Sequence, residues 1–170
     1  ELLAATPREV LAGSAMNGFD KGIEALYSRH SNPLTDAMAV RGLEYLRPSL
    51  LRYRTKDDPE IMERIVIGII LVQHGCTVGN SLIHSYGHAL RRHFGIQQGI
   101  AHAVMVPHAL QLLFDSVTGR RDLLAQALVE GVPRDPAESI IESVVAVRDA
   151  LRLPSQLREL DFVLPNDFTR

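Results

Sequence analysis

The chain has one cysteine, Cys76, so no disulfide can form within it; this fits a reducing compartment. It has no excess of charge. A formal net charge of −2 gives no electrostatic reason to bind nucleic acid or an anionic membrane. No run approaches the ~18 uninterrupted apolar residues of a membrane span. The nearest candidate, IVIGIILV, is short and lies between Arg64 and His74. A basic n-region is missing from the start, which reads as no signal peptide, and so is an initiator Met. The opening ELLAATPREV reads as one part of a longer protein, and the expected location is cytoplasmic. Repeats, low-complexity segments and internal linkers are absent. Also missing is any Gly-rich strand–turn–helix segment able to hold a pyrophosphate.

What remains is mostly helix. With 46% apolar and 22% charged residues in 170 positions, one self-sufficient domain over 1–170 is expected. Val10, Leu11, Met16, Phe19, Ile23 and Leu26 follow a 3.6-residue period. Asn32–Pro33, Asp58–Pro59 and Asp135–Pro136 each place a capping side chain before a first-turn proline. Pro48 is expected to bend or end the helix begun at Pro33. Ile65 to Val72, apolar all round except Gly68, reads as a helix buried on every side. Gly75 and Gly79 bracket a break. Helices are expected over about 81–94 and 100–114, in GRRDLLAQALVEGV and DPAESIIESVVAVRDALRL, and briefly in LPSQLREL. Seven or eight helices make an all-α fold.

Five of the seven histidines fall between Asn80 and His108. His84 and His88 are four apart on a helix, so both imidazoles project from one face and could share a cation. They could equally be hydrogen-bonded histidines between helices. Ser85, Gly87 and Ala89 keep the backbone open around them. His102 and His108 follow, His108 in a core or capping role, whereas His93 beside Arg91 and Arg92 reads as solvated.

The segments SLIHSYGHAL…GIQQGIAHAVMVPHAL and AGSAMNGFDKGIEALYSRHSNPLTDAMAVRGLEYL resemble the iron-containing alcohol dehydrogenase family, over about the first 115 residues. MNGFDKGIEALY and GIAHAV resemble its maleylacetate reductase branch. The resemblance implies the multi-helix C-terminal domain of the iron-containing alcohol dehydrogenase/dehydroquinate synthase-like fold. It also implies an NAD(P)-dependent oxidoreductase acting on a small alcohol, aldehyde or oxo acid. NAD(P) would be bound by an N-terminal domain absent from this chain, so the chain alone would be inactive. A homo-oligomer is expected.

The resemblance further implies Fe²⁺ or Zn²⁺ held by one aspartate and three histidines. Those positions fall on Asn17, Lys21, His84 and Gln98, of which His84 alone is retained. Neutral amides are weak donors to such ions, and an ammonium has no lone pair. The family site, with neutral histidines and a divalent ion, carries a single positive charge. Asn17, Lys21, a neutral His84 and Gln98 carry the same. The Lys21 ammonium is therefore expected to stand where the metal stood. His88 would relay the proton, His102 would help to hold a carboxylate-bearing substrate, and Asn17, His84 and Gln98 would orient it. Two alternatives stay open. One is a metal-binding domain whose ligands have moved to His84, His88, His102 or His108. The other is a non-catalytic helical interaction domain in which Lys21 pairs with Asp20 or Glu24 on its own helix.

Overall fold

Three helices start where a short polar side chain precedes proline. Asn32 accepts hydrogen bonds from the Leu34 and Thr35 amides at 3.1 and 3.2 Å, and the Thr35 hydroxyl accepts from the Asn32 amide at 2.8 Å. Asp58 accepts from the Ile61 amide at 3.1 Å, and Asp135 from the Ala137 and Glu138 amides at 2.9 and 3.2 Å. Each cap satisfies amides that the first helical turn leaves without a partner. Asn32→Ala should cost about 1 kcal/mol. A lower denaturant midpoint at constant slope would report that loss, and an unchanged midpoint would deny the cap a stabilising role.

The computed structural model describes residues 5–53, 58–76, 82–116 and 118–160. These form α1 (Arg8–Tyr27), α2 (Pro33–Arg52), α3 (Pro59–Gly75), α4 (Leu82–Phe94), α5 (Gln98–Leu113), α6 (Arg121–Leu128) and α7 (Pro136–Ala150). Short 3₁₀ turns lie at Thr118–Arg120 and Leu157–Glu159, and no strand occurs among the described residues. None of these helices is long and apolar enough to cross a membrane.

Helix α1 is the centre of the bundle. Fourteen of its twenty residues are buried, so the helix has core on most of its circumference rather than along one stripe. Met16, Phe19, Ile23 and Leu26 join Leu43, Leu46 and Leu50 of α2, Val72 of α3 and Leu110 of α5 in one hydrophobic core. Helices α2 and α3 approach at two glycines: a Cβ at Gly42 would stand 2.9 Å from the Gly68 carbonyl oxygen. The C-terminal helices are tied back by polar contacts. Arg47 donates to Ser143 Oγ at 2.7 Å, and that hydroxyl donates to the Leu128 carbonyl at 2.6 Å. Arg120 binds the Leu26 carbonyl and Asp36.

Several expectations need correction. Pro48 does not end α2, which runs on to Arg52, and the Ser49 hydroxyl bonds the Tyr45 carbonyl at 2.6 Å beside it. Ile65–Val72 is helical but not buried all round, since Ile70 on α3 is 52% exposed and α1 and α2 cover only one side. LPSQLREL makes only a 3₁₀ turn. His108 is exposed rather than in the core. Helix α5 begins at Gln98, two residues earlier than expected, so Gln98 and His102 lie one turn apart on it. The expected break at Gly79 and helix start at Ser81 lie outside the described residues.

Candidate functional site

Three helices each bring a pair of residues spaced four apart. Helix α1 carries two such pairs on neighbouring ridges, Asn17/Lys21 and Asp20/Glu24. Helix α4 carries His84/His88, and α5 carries Gln98/His102. Which of these meet is decided by the packing of α1, α4 and α5.

The Asp20/Glu24 ridge meets His84. Asp20, Glu24, His84 and His102 are all buried, Asp20 and His102 completely. His84 Nδ1 lies 3.1 Å from Asp20 Oδ2 and closer still to Glu24 Oε2. His102 Nδ1 lies 3.0 Å from the same Asp20 oxygen. The two rings stand edge to face with centroids 4.4 Å apart. Glu24 also caps α4 from another helix: its Oε1 accepts the Ile83 and His84 amides at 2.9 and 3.3 Å and the Tyr27 hydroxyl at 3.1 Å. A carboxylate at a helix N-terminus is favoured by the exposed amides and the helix dipole there.

Despite these short distances, neither Asp20 oxygen takes part in a hydrogen bond of proper direction, nor does either nitrogen of His102 or Nε2 of His84. The atoms converge on one another rather than pairing. Burial alone would push the Asp20 carboxyl up; His102 and His84 outweigh it and hold the group below its ordinary value. Burial alone would lower His84, but Asp20 and Glu24 outweigh it and raise the imidazole to about 9. Two carboxylates thus face the Nδ1 edge of the His84 ring.

Helix α5 can come this close to α4 because position 87 has no side chain. A Cβ at Gly87 would stand 2.2 Å from His102 Nε2 and 3.1 Å from Gln98 Cγ.

The other expected residues sit around this cluster. His88 is exposed, one turn beyond His84, with ring centroids 6.4 Å apart. Lys21 is half-buried and donates to Gln73 Oε1 of α3 at 2.7 Å. Among the described residues no carboxylate lies within ion-pair distance of its ammonium; Asp20 and Glu24, the partners it might have had, turn instead to the histidines. Asn17 is half-buried, with its Oδ1 closed off from solvent and without a hydrogen bond, and Gln98 is half-buried beside Gly87. His93 is exposed. Burial pushes the nearby Cys76 thiol up against the opposing pull of Lys21, which leaves it a poor nucleophile.

Asp20 and Glu24 are the site residues that sequence reasoning treated only as partners for Lys21. The signal was available: two acids one turn apart fall among the apolar and small residues Gly18, Phe19, Gly22, Ile23 and Ala25.

Residues 11–166 match the Fe-containing alcohol dehydrogenase family, C-terminal. Alcohol dehydrogenase 4 of Saccharomyces cerevisiae is 25% identical over 158 residues, 91% of this chain and 41% of that protein. Maleylacetate reductase 1 of Rhodococcus opacus is 31% identical over 137 residues, 75% of this chain and 36% of that protein. The fold matches that of an alcohol dehydrogenase from Oenococcus oeni with a TM-score of 0.88 at 21% identity, over 97% of this chain and 44% of that one. The chain spans less than half the length of these relatives.

Proposed function

Since the chain belongs to the Fe-containing alcohol dehydrogenase family, as its C-terminal, all-helical part, we propose that it is the substrate-side portion of an NAD(P)-dependent carbonyl reductase or alcohol dehydrogenase. Relatives named lactaldehyde reductase and maleylacetate reductase support short aldehydes and oxo acids as the substrate class.

The residues present do not fit a dinucleotide. Among the described residues there is no strand, and so no strand–Gly-rich turn–helix to hold a pyrophosphate. The nicotinamide, which supplies the hydride, is assigned to a part of the protein outside these 170 residues. Nor do the family's metal positions fit Fe²⁺ or Zn²⁺. Asn17 and Gln98 offer neutral amides, and Lys21 offers an ammonium already donating to Gln73.

The chain's own contribution is then electrostatic and protic. The observation that carries this reading is the state of Lys21: a half-buried cation held by one neutral oxygen, with no carboxylate among the described residues to cancel it. Asp20 and Glu24 turn to His84, so the positive charge expected at the substrate oxygen is assigned to Lys21. Lys21 polarises the carbonyl as negative charge develops on its oxygen. His88, exposed at the edge of the cluster, delivers the proton to that oxygen, and in the oxidative direction takes it back. Asn17 and Gln98 orient the substrate by hydrogen bonds, and His102 acts on substrate only through the His84 side of the cluster.

The intact protein should oxidise NADH or NADPH when given short aldehydes or oxo acids, in a reaction that needs the carbonyl compound. No carbonyl-dependent oxidation of either nucleotide across such a panel would overturn the assignment.

A further inference from the structure

We propose that Asp20, His84 and His102 form a metal site that is distinct from the family's positions and shares only His84 with them, and that it holds one divalent transition ion of the Zn²⁺ or Fe²⁺ class between α1, α4 and α5.

The argument starts from a mismatch between burial and hydrogen bonding. Asp20 is completely buried, yet neither of its oxygens has a hydrogen bond. His102 is completely buried with both ring nitrogens in the same condition, and so is Nε2 of His84. Buried polar groups are ordinarily satisfied, and leaving several of them unsatisfied at one point is costly. Here the atoms share one small volume. One donor atom from each of the three residues lies within 4.8 Å of the others, and His102 Nδ1 approaches Asp20 Oδ2 to 3.0 Å. A cation with ligand bonds of about 2.0–2.2 Å draws its donors to roughly that separation, with their lone pairs directed at a common centre instead of at each other. One carboxylate and two imidazoles suit a borderline divalent transition ion.

The surrounding chemistry is what such a site needs. Glu24 takes the Nδ1 edge of His84, which fixes the ring and leaves Nε2 as its free lone pair. A carboxylate behind a ligating imidazole orients it and raises its basicity. Glu24 is itself anchored by the Ile83 and His84 amides and the Tyr27 hydroxyl. Gly87 provides the opening through which the His102 ring enters.

The donor atoms are closed off from solvent, so the ion's work is to join three helices rather than to touch substrate. That separates this site from the reaction assigned above, which uses Lys21 and His88. Binding is measured on the chain itself, without nucleotide or turnover, so either reading can fail while the other stands.

The test is titration of the metal-stripped chain with Zn²⁺ by calorimetry, with Co²⁺ as a spectroscopic probe. The site predicts one equivalent bound and intense visible Co²⁺ bands. It also predicts a melting temperature raised by about 5–10 °C at a free metal concentration near a hundredfold above Kd. Asp20→Asn and His102→Gln should abolish the tight equivalent, and Glu24→Gln should weaken it about 10–100-fold. Asn17→Ala and Gln98→Ala should leave it unchanged. The Co²⁺ spectrum of the unaltered chain decides the matter even where a variant fails to fold. Absence of a stoichiometric equivalent for either ion would overturn the proposal. So would a site lost in Asn17→Ala and Gln98→Ala but kept in Asp20→Asn.

Discussion

Gly99→Ala is expected to lower the stability of the chain by about 4 kcal/mol or more, among the largest effects a single methyl group can have. A Cβ at position 99 would stand 1.6 Å from the Gly13 carbonyl oxygen and 2.4 Å from its carbonyl carbon. Both atoms belong to the backbone of α1, so no side chain can swing aside. Relief requires α1 and α5 to separate, and α1 contributes more residues to the core than any other helix. For a chain of this size the melting temperature should fall by about 10 °C. Gly119→Ala is the control, because nothing lies within 4 Å of that position and its backbone is unstrained. If both variants melt together with the unaltered chain, α1 and α5 do not touch at Gly13 and Gly99.

Lys21→Met in the intact protein should lower kcat by about 10²–10³, the usual loss when one preorganised electrostatic donor is removed. The side chain keeps its length and apolar stem while losing the charge and the hydrogen bond to Gln73. Because Lys21 is half-buried and makes no ion pair among the described residues, the fold should tolerate the change, and a melting curve would show it. KM should move much less than kcat, because the charge acts mainly on the oxyanion of the transition state. A folded Lys21→Met variant with unchanged kcat would remove Lys21 from the chemistry.

The parts of this molecule that local chemistry determines were readable in the sequence. Asn32, Asp58 and Asp135 cap helices because a cap and its amides lie within three residues of each other. The helical period of α1 was visible for a similar reason. Ile70 was misplaced because its burial depends on which helices α3 meets, and the apolar run does not encode that. Pro48 was read as a bend or a stop because a proline interrupts one hydrogen bond; it is not a stop, since α2 is held on both sides of it by packing against α1 and α3. At the site, His84 was identifiable from its spacing with His88. Its actual partners were not, because Asp20 and Glu24 come from a helix near the start of the sequence and His102 reaches it only through the packing of α4 on α5. Lys21 was open to pairing with Asp20 or Glu24 while α1 was considered alone. Once α4 and α5 supply imidazoles, those carboxylates are engaged elsewhere and Lys21 turns to α3.

Turnover measured against bound metal separates a lysine from a metal as the source of the positive charge at the substrate oxygen. The intact protein would be stripped with a chelator, its residual metal quantified, and its NAD(P)H-dependent carbonyl reduction followed well below the melting temperature as Zn²⁺ or Fe²⁺ is restored. The Lys21 assignment predicts a kcat that is independent of metal content, even as the melting temperature climbs with each increment of ion. A kcat that starts near zero and rises in proportion to bound metal would contradict it.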